Sequence, residues 1–251
     1  MDTKRILIIG ASSGIGKELA LQYEKLGYEV IITARNVEKL KEIAENKKIK
    51  YEYLDVNNYY EAISKIKNLV IDTDISIISA GIGDFNDKLD FDIELNTIKT
   101  NVAGFVACVT EIFNYYKSIK KGHIAAISSI ASIRGADSAP AYNASKAFVT
   151  NYMDGLRKKS IKEKLNINVT TIMPGLVDTQ MAKGEGLFWV EPTEIVAKQI
   201  IRGITKNKSE LVVTKRWKLI ALLLKLLPDF LYYKMWFIPS KYILLNYKNR
   251  Y

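Results

Sequence analysis

A short apolar run, Lys4 to Ile9, passes straight into Gly10-Ala11-Ser12-Ser13-Gly14-Ile15-Gly16, and an amphipathic stretch continues to Leu26. The β-branched residues of the run read as a strand, the glycines as a tight turn and the periodic stretch after them as a helix. Glycines placed this way let the main chain turn sharply and bring free N–H groups and a helix N-terminus against a pyrophosphate. A chain that opens on such a unit is committed to alternating strands and helices. That alternation runs through most of the 251 residues, nearly half of them hydrophobic, enough to bury one α/β core. Strands are predicted near 4–9, 28–34, 49–55, 74–79, 121–128, 166–173 and 209–213. Helices fill the gaps, among them a long one over about 93–118 and another over about 141–160. No internal repeat, low-complexity segment or linker interrupts the pattern.

The predicted strand ending in Ile124-Ala125-Ala126-Ile127 leads into Ser128-Ser129, and a helix start rich in small residues follows with Ala141-Tyr142-Asn143-Ala144-Ser145-Lys146. On a helix, Tyr142 and Lys146 lie one turn apart on the same face. An ammonium beside a phenol favours the phenolate, so Lys146 is expected to lower the Tyr142 pKa toward working pH, where acid/base catalysis is most effective. Ser129 adds a hydroxyl able to hold a substrate oxygen. Tyr116 and Lys120 share the same spacing but have no hydroxyl-bearing strand end before them, and are read as structural.

Taken together, Gly10-x-x-x-Gly14-x-Gly16, Asn101, Ser129, Tyr142-x-x-x-Lys146 and Pro174-Gly175-Leu176-Val177-Asp178-Thr179 resemble, in order and separation, the short-chain dehydrogenase/reductase family in its single-domain branch, over Lys4 to about Val213. The resemblance implies a doubly wound, Rossmann-type, seven-stranded parallel sheet with helices on both faces. It also implies four catalytic residues. Ser129 holds the substrate oxygen, Tyr142 donates the proton in reduction, Lys146 binds the nicotinamide ribose, and Asn101 holds a water that links Lys146 to solvent. Cofactor contacts are implied for Gly10, Ser12, Ser13, Gly14, Ile15 and Gly16 in the first turn, for Ala80 and Gly81, for Asn101, Tyr142 and Lys146, and for Pro174, Gly175, Val177 and Thr179 along the nicotinamide. Asp55 and Val56 resemble the pair at the adenine edge. Two positions depart from the family pattern. Ile9 replaces a Thr, and Ile78-Ser79-Ala80-Gly81 stands where Asn-Asn-Ala-Gly is common, which implies altered hydrogen bonding in the cofactor floor. Homodimers or homotetramers, built through the two long helices, are implied by the resemblance alone.

The end of the second strand bears on the choice of dinucleotide. A carboxylate about 20 residues past the glycine turn would bind the ribose hydroxyls of NAD and repel a 2′-phosphate. This chain has Ala34-Arg35 there, with Ser12 and Ser13 nearby, so a guanidinium and hydroxyls can receive the phosphate. NADP(H) is the predicted cofactor, ahead of NAD(H).

One cysteine, Cys108, and one histidine, His123, exclude an intramolecular disulfide and argue against a thiolate or imidazole metal site, so no metal is predicted. Both residues read as structural. The first apolar run is already a strand, not a signal sequence, and a cytoplasmic setting is expected.

From Lys215 onward the chain carries eight basic residues and one acid, +7 of the total +10. Residues 1–214 are therefore read as the dinucleotide-binding catalytic domain and 215–251 as an apolar, basic helical extension. In it Lys218 and Lys225 share a narrow polar stripe on an otherwise apolar helix. Interrupted by Lys225, Pro228 and Asp229, the segment is too short to span a bilayer. It can lie on a membrane surface, which would make the protein peripheral on the inner face, or it can cover the substrate cleft or join subunits. Nucleic-acid binding is disfavoured by so many apolar residues and by the lack of any motif for it.

Between Thr179 and Pro192, Gly184 and Gly186 supply hinges, and Phe188 and Trp189 an aromatic pair, for a segment able to close over a ligand. With no cationic cluster there, the expected substrate is an apolar, lipid-like ketone or secondary alcohol. The predicted reaction is hydride transfer between NADPH and a carbonyl carbon, with Tyr142 as acid and base. The alternative is a non-enzymatic NADP-binding regulatory or membrane-tethered protein, which would need no intact catalytic set.

Overall fold

The computed structural model describes residues 4–179 and 189–234. Seven strands, β1 (Arg5–Ile9), β2 (Glu29–Ala34), β3 (Ile49–Tyr53), β4 (Ile75–Ile78), β5 (Lys121–Ile127), β6 (Asn166–Pro174) and β7 (Glu210–Val213), form one sheet in the order β3-β2-β1-β4-β5-β6-β7. All six pairings are parallel. The sheet is the doubly wound Rossmann-type one. Strand order reverses between β1 and β4, and the crevice at that switch point, beyond the C-terminal strand ends, is where such sheets bind ligands.

The alternation of side chains along β1 shows how the core divides. Ile6 and Ile8 face a layer with Leu19, Ala20, Tyr23, Val196 and Ile200. These come from α1 (Gly14–Lys25) and α7 (Thr193–Thr205). Leu7 and Ile9 face the opposite layer with Ile66, Cys108, Ile112 and Met153. That layer is built from α3 (Tyr59–Leu69), α5 (Phe105–Ile119) and α6 (Pro140–Lys162), while α2 (Val37–Ala44) follows β2. All four β1 side chains from Ile6 to Ile9 are buried, each worth about 1.5–3 kcal/mol relative to exposure.

The single long helix predicted over 93–118 is instead α4 (Phe91–Ile98), a π-helical segment Lys99–Gly104, and α5. Periodicity alone does not distinguish a widened turn from a regular one, and the widened turn carries Asn101. The other predicted elements agree within two residues.

Two helices follow the sheet, α8 (Lys215–Leu226) and the short α9 (Asp229–Tyr232). Trp217 is 1% exposed and lies against Gly175, in a cluster with Ile130 and Leu176. The expected polar stripe is present, since Lys218 and Lys225 are both exposed, but α8 is apolar on two faces. One face buries Trp217, Ala221 and Leu224, and the other exposes Leu219, Leu222, Leu223 and Leu226. Among the described residues no helix is long and apolar enough to cross a membrane.

Of the residues read as structural, Tyr116, Cys108 and His123 are buried and Lys120 is exposed. The Tyr116 hydroxyl hydrogen-bonds Ser76 Oγ at 2.8 Å and Thr73 Oγ1 at 3.0 Å. Lys120 adopts a left-handed conformation that ends α5. Burial pushes the Cys108 thiol up to about 12. His123 Nε2 lies 2.8 Å from Thr170 Oγ1, and burial lowers its pKa to about 4.

Because the His123 pKa is depressed on folding, its contribution to stability is complete above the unfolded value near 6.5 and is lost as pH falls through 4. The protein is expected to lose about 3 kcal/mol over that interval through this group. Chemical denaturation of the parent and of His123→Gln between pH 7 and 4 should show this part of the acid dependence only in the parent.

Candidate active site

A cavity of about 470 Å³ opens at the switch point, with the first glycine turn on one side and Ser129, Tyr142 and Lys146 on the other. At Gly10, φ is +86° and a Cβ would collide with the backbone nitrogen of Ala80. A side chain there would force β1 and β4 apart, so glycine is required. The backbone N–H groups of Ser79 and Ala80 both donate to Ile9 O, at 2.8 and 2.9 Å. The floor is thus closed by main-chain bonds, which do not depend on the side chains at the departing positions 9, 78 and 79. Ser13 is the N-cap residue of α1, yet its side chain makes no capping bond, so the hydroxyl is available to a ligand beside the helix N-terminus.

Gly10, Ser12, Ser13, Gly14, Ile15, Arg35, Asp55, Val56, Ala80, Gly81, Pro174, Gly175, Val177 and Thr179 all line this cavity. Two of the expected residues do not. Gly16 sits behind the turn, packed on the carbonyl of Gly10. Asn101 lies one layer back. Its Oδ1 accepts from Ile82 N–H at 2.8 Å, and its Nδ2 donates to Ile82 O at 2.7 Å and to Ser145 Oγ at 3.0 Å. The side chain therefore fixes the loop after β4. Arg35 is exposed at the far end and makes no ion pair among the described residues.

The helical placement of Tyr142 and Lys146 in α6 puts both side chains at the cavity, with Lys146 Nζ 5.6 Å from the centre of the Tyr142 ring. Nζ donates to Ile127 O at 3.1 Å. Burial lowers the Lys146 pKa to about 8. The Tyr142 pKa moves opposite to expectation. Burial raises it, and the hydrogen bond from Ser129 only partly offsets that. Desolvation disfavours phenolate and ammonium alike, so in this protein it outweighs the attraction that the spacing suggested. A phenol kept protonated at neutral pH, beside a cation that holds its charge weakly, is suited to donating a proton.

Residues not singled out in the sequence complete the arrangement. Ser128 Oγ donates to Lys146 O at 2.9 Å and pairs with Thr150 Oγ1 at 2.7 Å, binding β5 to α6. Arg134 donates from Nε to Leu224 O at 3.0 Å, pairs through Nη1 with Asp229 at 2.7 Å and lies over the Tyr232 ring. Its own carbonyl accepts from Asn143 Nδ2 at 2.7 Å. The loop after Ser129 is thereby held between the start of α6 and the last helices. The serine pair was the only signal for Ser128, and nothing in the sequence pointed to Arg134. Residues 180–188, which include Phe188 and the glycines expected to act as hinges, lie outside the described residues, as do 235–251.

Residues 4–187 match the family model described as short chain dehydrogenase. The chain belongs to the short-chain dehydrogenase/reductase family. It is 32% identical over 195 residues to an NADP-dependent 3-hydroxy acid dehydrogenase of Schizosaccharomyces pombe, covering 72% of this chain and 74% of that one. To an uncharacterized oxidoreductase of Myxococcus xanthus it is 28% identical over 219 residues, 81% and 86% of the two chains. A short chain dehydrogenase from Burkholderia cenocepacia, solved in complex with NADP, superposes with a TM-score of 0.82 at 18% identity, over 93% of this chain and 98% of that one. That likeness shows the shared fold. As a short-chain dehydrogenase/reductase, the protein is an oxidoreductase.

The two adjacent serines should separate in a stability measurement. Ser128 is buried and bridges two elements, so Ser128→Ala is expected to cost about 1–3 kcal/mol. Among the described residues Ser129 accepts only from Ala131 N–H in the short turn that follows it, besides its bond to Tyr142, so Ser129→Ala should cost about 1 kcal/mol or less. Equilibrium denaturation of the two variants tests the difference.

Proposed function

We propose that the protein is an NADP(H)-dependent oxidoreductase that interconverts an apolar, lipid-like ketone and the corresponding secondary alcohol. The observation that carries this reading is the convergence of Ser129, Tyr142 and Lys146 on the cavity that also contains the glycine turn and Arg35. The donor set fits the dinucleotide. The helix N-terminus and the uncapped Ser13 suit a pyrophosphate, and Arg35 with Ser12 suits a 2′-phosphate. The NADP named for the fission yeast relative and for the Burkholderia structure supports the same choice.

When bound, NADPH would supply the hydride. Ser129 holds the substrate oxygen, Tyr142 delivers a proton to it, and Lys146 takes the ribose hydroxyls while its charge stabilises the phenolate left behind. Proton delivery at the oxygen avoids a free alkoxide. The Tyr142 ring packs against Phe85, Ala131 and Ala139, and the cavity beside it is lined by the apolar side chains of Ile82, Ile127, Ile130 and Leu176. This lining favours a hydrocarbon substituent on the carbonyl. Assembly as a homodimer or homotetramer is part of the same reading, supported by the partly exposed Phe148 and Tyr152 on α6, stacked 5.6 Å apart.

Tyr142→Phe is expected to lower kcat/KM for carbonyl reduction by about 10²–10⁴-fold with little change in NADPH affinity. NADPH consumption over a carbonyl panel, with binding followed by nicotinamide fluorescence, measures both. Unchanged turnover would leave a dinucleotide-binding protein without the proposed acid. For the phosphate contact, Arg35→Asp should weaken NADP(H) by about tenfold to a hundredfold and narrow or reverse the preference over NAD(H) in parallel titrations.

A further inference from the structure

Away from the cavity, a second groove of about 530 Å³ runs between the C-terminal end of α7, β7 and the start of α8. Five cations line it, Arg202, Lys206 and Lys208 from one side and Arg216 and Lys218 from the other, against a single acid, Glu191. None of the five forms a salt bridge among the described residues. Thr214 also lines the groove. It is 5% exposed, and its hydroxyl has no hydrogen-bond partner among the described residues, although it stands at the N-cap of α8. A buried hydroxyl left unpaired is costly, and here it lies where a helix N-terminus and five cations converge.

Arg216 and Lys218 belong also to the helix whose outer face carries Leu219, Leu222, Leu223 and Leu226, continued by Phe230 and Tyr233 in and after α9, each more than half exposed. On the helical wheel the four leucines form one outward stripe, flanked by Arg216 on one side and by Lys218 and Lys225 on the other. Asp229, the acid of this stretch, is tied to Arg134.

We propose that this face docks on an anionic bilayer, with the outward leucines entering the headgroup boundary and a lipid phosphate occupying the basic groove. Charge complementarity selects this occupant. A nucleic acid would satisfy the cations but leave the leucines in water, and a second copy placed symmetrically would set five cations that lack a salt bridge among the described residues against five more. An anionic lipid surface satisfies both halves. Arg134 then links the docked helices to the loop after Ser129, so an apolar substrate would enter beside the lipid. Docking stands on its own observations and does not depend on the reaction.

The test is co-sedimentation of the full chain with vesicles of phosphatidylcholine alone and of phosphatidylcholine mixed with phosphatidylglycerol. Retention is expected only on the mixed vesicles and should fall with added salt. Lys206→Gln with Lys208→Gln should weaken it about 25-fold, about fivefold for each charge. Leu222→Ser with Leu226→Ser should weaken it about tenfold or more while leaving circular dichroism and sedimentation mass unchanged. Equal retention on both vesicles, retention on neither, or indifference to the lysine pair would overturn the proposal. So would a changed oligomeric mass in the leucine variant, which would make the face a subunit contact. Binding of inorganic phosphate or an oligonucleotide without retention on any vesicle would assign the groove to a soluble anion and likewise overturn it.

Discussion

The ammonium of Lys146 is buried at the point where the sheet divides, and the arrangement of the candidate site follows from keeping it there. Desolvation weakens its hold on a proton, and the same desolvation strengthens the hold of Tyr142. Among the described residues Nζ donates only to Ile127 O, so most of its hydrogen-bonding capacity is directed at whatever enters the cavity. A buried cation so sparsely satisfied by protein is expensive as a structural element. It makes sense as part of a site whose remaining partners are brought by ligand.

Around that charge the fold supplies rigidity with main-chain groups. Ile82 is clamped by both ends of the Asn101 amide, which is presented from the π-helical turn at Lys99–Gly104. Ser128 ties the end of β5 to the carbonyl of Lys146 itself. Packing then extends the arrangement to the last described helices, because Trp217 rests on Gly175 and Arg134 reaches the carbonyl of Leu224. The candidate site is thereby joined to a surface that exposes leucines on α8 and basic residues without salt bridges among the described residues.

Much of this is legible in the sequence for a simple reason. Strands buried on both faces, such as Ile6 to Ile9, must be apolar throughout, and a glycine forced by a backbone approach, such as Gly10, cannot be disguised. Tyr142 and Lys146 are visible because helical spacing alone juxtaposes them. What escapes the sequence depends on three-dimensional competition. The direction of the Tyr142 shift depends on how much water burial removes, which spacing does not encode. The widened turn at Asn101, the bracing by Ser128 and the reach of Arg134 all join residues distant in the chain. The second apolar face of α8 also escapes, since a sequence shows leucines without showing which of them are covered.

If one cavity holds the dinucleotide and the acid together, a crystal structure of the protein grown with NADP should place the 2′-phosphate at Arg35, the pyrophosphate at the N-terminus of α1, the ribose on Lys146 and the nicotinamide between Val177 and the Tyr142 hydroxyl. Density for the dinucleotide in any other part of the molecule, or a nicotinamide turned away from Tyr142 and Ser129, would contradict it.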